Sequence, residues 1–193
     1  MRHKDLEILL ASKSPRRKQL FTMADFKTTI INIDADEFFD AKMPIDEVSV
    51  YLAEKKSSFY KERINESSLL VTADTIVVIN NCILNKPQNH GESVKMLQQL
   101  SGNWHQVHTG VCMRTEQSQF SFNEITEVYI DDLTTEEIEY YIKSYQPFDK
   151  AGGYGVQDWI GVTHVSKLKG CYYNVMGFPM PRFYKELKKN NLI

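Results

Sequence analysis

The chain has 193 residues, 42% of them apolar and 25% charged, with a formal net charge of −2 at pH 7. That length suits one compact domain spanning residues 1–193, able to bury a sizeable core and to form two lobes around a cleft. The near-neutral balance excludes a broad basic footprint for nucleic acid, so an anion site must be a local cluster of cations. Cys82, Cys112 and Cys171 are odd in number and lack any CxxC spacing, which argues for reduced thiols in a cytoplasmic protein rather than a disulfide framework or a zinc site. The opening Met1-Arg2-His3-Lys4-Asp5 leads into only four clearly apolar residues, too few for a signal peptide, and no later run approaches a membrane span.

The first apolar run, Ile8-Leu9-Leu10-Ala11, reads as a short buried strand that leads into Ser12-Lys13-Ser14-Pro15-Arg16-Arg17. Ser14 is a good N-cap and Pro15 suits the first helical position, where its missing N–H costs nothing. The free N–H groups and positive end of that helix favour an anion. Arg16 and Arg17 add forked donors that match phosphate oxygens, with Ser12 and Ser14 completing a cradle. The same residues would serve equally as a plain capped helix with solvated arginines.

Thr28 to Ile33 reads as a β-branched strand ending in an acidic turn, Asp34-Ala35-Asp36-Glu37. A helix is predicted from about Ile45 to Arg63, with Ile45, Val48, Leu52 and Phe59 on one stripe. Lys56 falls on that stripe and Lys55 about 100° away, which makes Lys55 the more expendable. Two apolar runs, Leu69–Ala73 and Thr75–Ile79, are separated only by Asp74, and Asn80-Asn81 turns the chain into Cys82-Ile83-Leu84. A helix over Glu92–Leu100 stops at Gly102. Strands follow over about Trp104–Arg114 and Gln119–Tyr129, then a capping box, Thr134 to Glu137, opens a helix to about Ser144. The glycine-dense loop Asp149–Gln157, a hairpin around Lys169-Gly170 and a helix after Pro179 complete the chain. Interleaved helices with several short strand connections predict a mixed α/β sheet rather than a purely parallel one.

Asp74 is the strongest isolated signal for chemistry. An unpaired carboxylate inside a buried run loses several kcal/mol of solvation, so it needs a partner, a cleft or a metal. Lys56 can snorkel harmlessly or project into a cleft. Pro87 forces Lys86 into an extended conformation at a strand end. Asp36 and Glu37, if near Asp74, could supply oxygen ligands for Mg²⁺ or Mn²⁺. His105 and His108, three apart on a strand, face opposite sides and make a poor metal pair.

Taken together, LASKSPRRKQL, LAEKKS, VTADTIVVINNCILNKP, LSGNWHQVHTGV, PFDKAGGYGVQ and YYNVMGFPM resemble, in order and spacing, the Maf family of nucleotide pyrophosphatases, also called septum-formation-inhibitor-like proteins. The resemblance implies an elongated Maf/ITPase-like α/β fold, with a twisted mixed β-sheet flanked by helices around a deep cleft, often as a homodimer. It implies a hydrolase that splits nucleoside triphosphates into monophosphate and pyrophosphate with Mg²⁺ or Mn²⁺, cleaning the nucleotide pool. Members acting on dTTP and UTP look alike at an arginine, a threonine and a glutamine that match Arg17, Thr75 and Gln157 here. These three would contact the base, Ser12, Arg16, Lys56 and Lys86 the phosphates, and Asp74 would act as general base. Asp74 and either Asp36 or Glu37 would hold the metal. The family's other name implies a rival role, a nucleotide-binding regulator of septum formation.

Overall fold

The computed structural model describes residues 5–193; Met1–Lys4, part of the polar lead-in, lie outside the described residues. The first elements are β1 (Glu7–Ala11), α1 (Pro15–Met23), β2 (Lys27–Ile30), α2 (Ile45–Ser58) and β3 (Ser68–Ile79). They are followed by β4 (Cys82–Leu84), α3 (His90–Leu100), β5 (Asn103–Arg114), β6 (Gln119–Ile130) and α4 (Thr135–Tyr145). The last are α5 (Trp159–His164), β7 (Val165–Lys169), α6 (Tyr172–Met176) and α7 (Met180–Lys189). The strands form one seven-stranded sheet in the order β2-β1-β3-β5-β6-β7, with β4 added to β3. β1 runs parallel to β2 and β3, while β4 and β7 run antiparallel to β3 and β6. The mixed α/β sheet flanked by helices is therefore as expected.

Local chemistry accounts for most element ends. Ser14 caps α1 and Asn89 caps α3 through bonds from Arg17 N and Glu92 N. Thr134 and Glu137 exchange both bonds of a capping box at α4. Asn80 and Asn81 both take positive φ, 49° and 58°, which matches the twist of a two-residue hairpin turn and aligns Ile79 with Cys82.

Five expectations are corrected. The two apolar runs around Asp74 are one continuous strand, β3, almost wholly buried. α2 ends at Ser58 rather than Arg63: its last turn tightens, the Phe59 and Tyr60 amides donating three residues back to the Lys56 (3.3 Å) and Ser57 (3.2 Å) carbonyls, and Arg114 secures the exit by donating to the carbonyls of Ser57 (2.8 Å) and Tyr60 (2.7 Å). Its buried stripe is Val48, Ser49, Leu52, Ala53 and Ser57, and Phe59 is 46% exposed. Gly110 sets that register: a Cβ there would stand 2.1 Å from the Ser49 backbone, so only glycine lets β5 and α2 approach this closely. β2 stops at Ile30, and Lys169-Gly170 leads from β7 into α6 instead of forming a hairpin. α5 and α6, six and five residues long, are too short for periodicity to reveal.

The chain divides into two compact units. One holds the residues up to Asp74, Thr109–Glu124 and Gly177–Ile193; the other holds Thr75–His108 and Ile125–Met176. In the first, Phe21 of α1, Phe178 and Phe183 of α7 interlock with ring centroids 4.8–5.4 Å apart, clamping α1 to α7. In the second, Leu97 and Leu100 of α3 and Ile138 and Ile142 of α4 pack with Val77, Val107 and Val128 of the sheet.

His105 of β5 is only 2% exposed, and its Nε2 lies 2.7 Å from the Tyr154 hydroxyl. Burial pushes His105 down to about 4 and the Tyr154 phenol upward, so the imidazole is neutral and Tyr154 donates to it. A depressed histidine stabilises the fold fully above its unfolded value of ~6.5. That contribution, on the order of 3 kcal/mol, is lost as pH falls from about 6.5 to about 4. Urea unfolding should therefore weaken across that window. His105→Gln, which keeps an acceptor but cannot titrate, should flatten the slope; an equally steep slope in the variant would remove His105 as its source.

Candidate active site

The turn from β1 to α1 gathers hydroxyls and cations. Ser12 Oγ accepts from the Ser14 amide (3.2 Å) and from Arg17 Nη1 (3.4 Å). Arg17 also donates from Nη1 to the Ala73 carbonyl (2.8 Å) and from Nε to the Gly177 carbonyl (2.9 Å). Burial lowers Arg17 from the usual guanidinium value; the Asp74 carboxylate opposes that shift and the Arg16 charge adds to it. Both Arg16 and Asp74 are thus electrostatic neighbours of Arg17, and Arg16 itself is partly exposed in the first turn of the helix.

Asp74 emerges from β3 one residue after that carbonyl. Its carboxylate hydrogen-bonds the Lys56 ammonium, which also donates to Glu37 Oε1 at 3.0 Å. Lys56 sits in the last turn of α2, four residues after the buried Leu52, and this places its stem along the core and its charge on Asp74. One ammonium therefore serves two carboxylates. The Asp74 and Lys56 side chains keep only 11% and 16% of their surface in water, so neither charge could stand there alone.

Asp36 is turned elsewhere. Its carboxylate accepts from Lys55 and from the Phe38 amide (3.0 Å), and Lys55 also donates to the Phe38 carbonyl at 2.9 Å. The hydrogen bond from Lys55 is the main reason that Asp36 lies below the usual carboxylate range. Lys55, expected to be expendable, is a latch for the acidic turn. No spacing in the sequence announced this, because Asp36 and Lys55 belong to segments 19 residues apart.

The second unit carries Thr75, Lys86 and Gln157. Thr75 is partly buried in β3, and Lys86 is exposed just before the buried Pro87. The glycine-dense segment docks beside Lys86: Gly152 N donates to the Asn85 carbonyl (3.1 Å), with Gly152 and Gly153 at φ 70° and 72°. Far from being a loose loop, residues 152–156 are buried. Tyr141 accepts from Gly155 N (3.1 Å) and donates to Asp158 Oδ2 (2.9 Å), while Gln157 Nε2 donates to Asp158 Oδ1 (3.3 Å). Gln157 Oε1 is buried and, among the described residues, has no hydrogen-bond partner. Asp158 was missed from the sequence, although it directly follows Gln157.

The Maf-like protein family model matches residues 7–190. The chain belongs to the Maf family. It is 43% identical to a dTTP/UTP pyrophosphatase of Phocaeicola vulgatus and 44% identical to one of Bacteroides thetaiotaomicron, each over 95% of both chains. A dTTP/UTP pyrophosphatase of Christiangramia forsetii is 41% identical over 96% of this chain and 95% of its own. In this Maf protein the motifs quoted above fall in two groups. Ser12, Arg17, Glu37, Lys56 and Asp74 form one connected cluster in the first unit, with Arg16 beside it, and Lys86, Thr75 and Gln157 lie in the second. The three cysteines form no disulfide, and among the described residues no helix is long and apolar enough to cross a membrane.

Replacing Lys56 by methionine leaves two carboxylates without their shared cation, and should cost about 2 kcal/mol after allowing for Glu37's exposure. Lys55→Met should cost clearly less, because its partner Asp36 is 61% exposed and rehydrates. Urea titrations at neutral pH measure both; equal losses would mean that Lys56 is no more buried in function than Lys55.

Proposed function

We propose that this chain is a nucleoside triphosphate pyrophosphatase that hydrolyses dTTP and UTP to the monophosphate and pyrophosphate, with modified pyrimidine nucleotides as further candidates, and so keeps the nucleotide pool clean. The observation that carries this reading is the Lys56 ammonium shared by Glu37 and Asp74, beside a capped helix N-terminus bearing Arg16 and Arg17. The relatives named above, each called a dTTP/UTP pyrophosphatase, support the same substrates. A regulator that only bound nucleotide would have no use for a carboxylate held at that point.

The chemistry follows from charge. A triphosphate brings about four negative charges, and the barrier to its cleavage is mainly one of positioning and charge stabilisation. Ser12, Arg16 and Lys56, with the N-terminus of α1, bind phosphate oxygens, and Lys86 adds a further cation. Water attacks the α-phosphorus, its proton passes to the Asp74 carboxylate, and the α–β bridging oxygen leaves with pyrophosphate. Lys56 sets the position of that carboxylate.

Among the described residues no three His, Cys, Asp or Glu side chains gather into a metal cage. Mg²⁺ is ordinarily held by one or two carboxylates plus substrate phosphates, so the Glu37–Asp74 pair fits it, and Mn²⁺ takes the same donors. Asp36, committed to Lys55, is not the second ligand in this reading. A bound cation supplies Lewis-acid charge for the scissile phosphate.

Thr75 and Gln157 are assigned to the base. Because Asp158 takes the Gln157 amide nitrogen, the atom offered is Oε1, an acceptor that suits the imino N–H of uracil or thymine.

Chromatography of purified protein with each nucleotide plus Mg²⁺ or Mn²⁺ should yield monophosphate and pyrophosphate in equal amounts from dTTP and UTP. Asp74→Asn should lower kcat on the order of 10²-fold or more. Release of orthophosphate, or an Asp74→Asn enzyme within about threefold of the parent, would defeat the mechanism. Gln157→Glu sets a second carboxylate against Asp158 and should reduce the preference for UTP over CTP by about tenfold or more. A parent enzyme that prefers GTP would end the pyrimidine assignment while leaving the pyrophosphatase reaction intact.

A further inference from the structure

The parallel pairing of β1 with β3 runs from Glu7↔Ser68 to Ala11↔Thr72 and ends there. Beyond Ala11 the chain turns through Ser12–Ser14 into α1, while β3 continues as Ala73 and Asp74. Ala73 is 1% exposed, and a buried carbonyl there needs a donor. Arg17 provides it. Its Nη1 donates to Ala73 O at 2.8 Å and its Nε to Gly177 O at 2.9 Å, with Ser12 Oγ 3.4 Å from the same Nη1. A planar fork anchored on two main-chain carbonyls ties the β1–α1 turn, β3 and the segment entering α7 together, one residue from Asp74. Lysine, a single point charge on a flexible stem, cannot hold both carbonyls in that geometry.

We propose that Arg17 is a positioning residue that sets Asp74 through the Ala73 carbonyl, and that it does not select the base. The inference rests on Asp74 being the reacting carboxylate. It moves Arg17 out of the group of base contacts implied by the family resemblance and leaves Thr75 and Gln157 to discriminate. Burial of the guanidinium, with the Asp74 charge close by, agrees with this placement.

The test is Arg17→Lys, assayed for kcat and KM with dTTP, UTP and CTP well below its measured melting temperature, beside Asp74→Asn. The expected result is a fall in kcat of about tenfold or more for all three nucleotides, with KM for UTP and the UTP:CTP ratio of kcat/KM within about twofold of the parent. A collapse of the UTP:CTP ratio with kcat retained would make Arg17 a base contact and overturn the proposal. A rise in KM alone, or an unchanged kcat, would overturn it as well. If Arg17→Lys is unfolded at the assay temperature, Arg17→Gln takes its place, since its amide can still donate to a carbonyl, and the same outcomes decide. An Asp74→Asn enzyme that keeps its activity sinks the underlying mechanism instead, so the two failures are distinct.

Discussion

A carboxylate in the middle of the buried strand β3 needs a counter-charge, and the residues around it are arranged to supply one. Hydrophobic burial alone would favour an unbroken apolar run from Leu69 to Ile79, and Asp74 interrupts it. The compensation comes from Lys56 in the last turn of α2, whose end Arg114 ties down through the Ser57 carbonyl and, just beyond it, the Tyr60 carbonyl. Gly110 permits β5 to lie against α2 closely enough for that arrangement to hold. Core packing, helix termination and a charged site are thus one connected structure.

The SPRR segment shows how one short motif can divide its labour. Ser14 caps the helix, Pro15 starts it, and the exposed amides at the helix start attract anions. Arg16 and Arg17 are adjacent in sequence but diverge by about 100° on the helix. Arg17 is thereby brought to the main chain of β3 and Gly177, while Arg16 stays partly exposed. Two chemically identical side chains thus acquire different duties from helical geometry.

In the second unit the glycines serve compactness more than mobility. Positive φ at Gly152 and Gly153 folds the segment tightly enough for Tyr154 to reach His105 and for Gly155 to meet Tyr141. Asp158 then joins Tyr141 to Gln157, so an amide that reads a base would be held by a buried phenol and a partly buried carboxylate rather than by a free loop.

Much of this was legible in the residues alone. Ser14, Asn80-Asn81 and the Thr134–Glu137 box act through bonds to near neighbours in the chain, so local chemistry determined where those elements begin and turn. Asp74 and Lys56 were legible as anomalies, a charge in an apolar run and a charge on an apolar stripe, because burial makes such residues costly without partners. The motif set likewise determined the family. Tertiary structure alone decided who those partners are: that Glu37 rather than Asp36 shares Lys56, that Lys55 latches the acidic turn, and that Arg17 closes on Ala73. Each of these contacts joins segments well apart in sequence, and single-residue chemistry states only that a charge needs a partner. Which partner it receives depends on the register of α2 and on the point where β1 leaves β3.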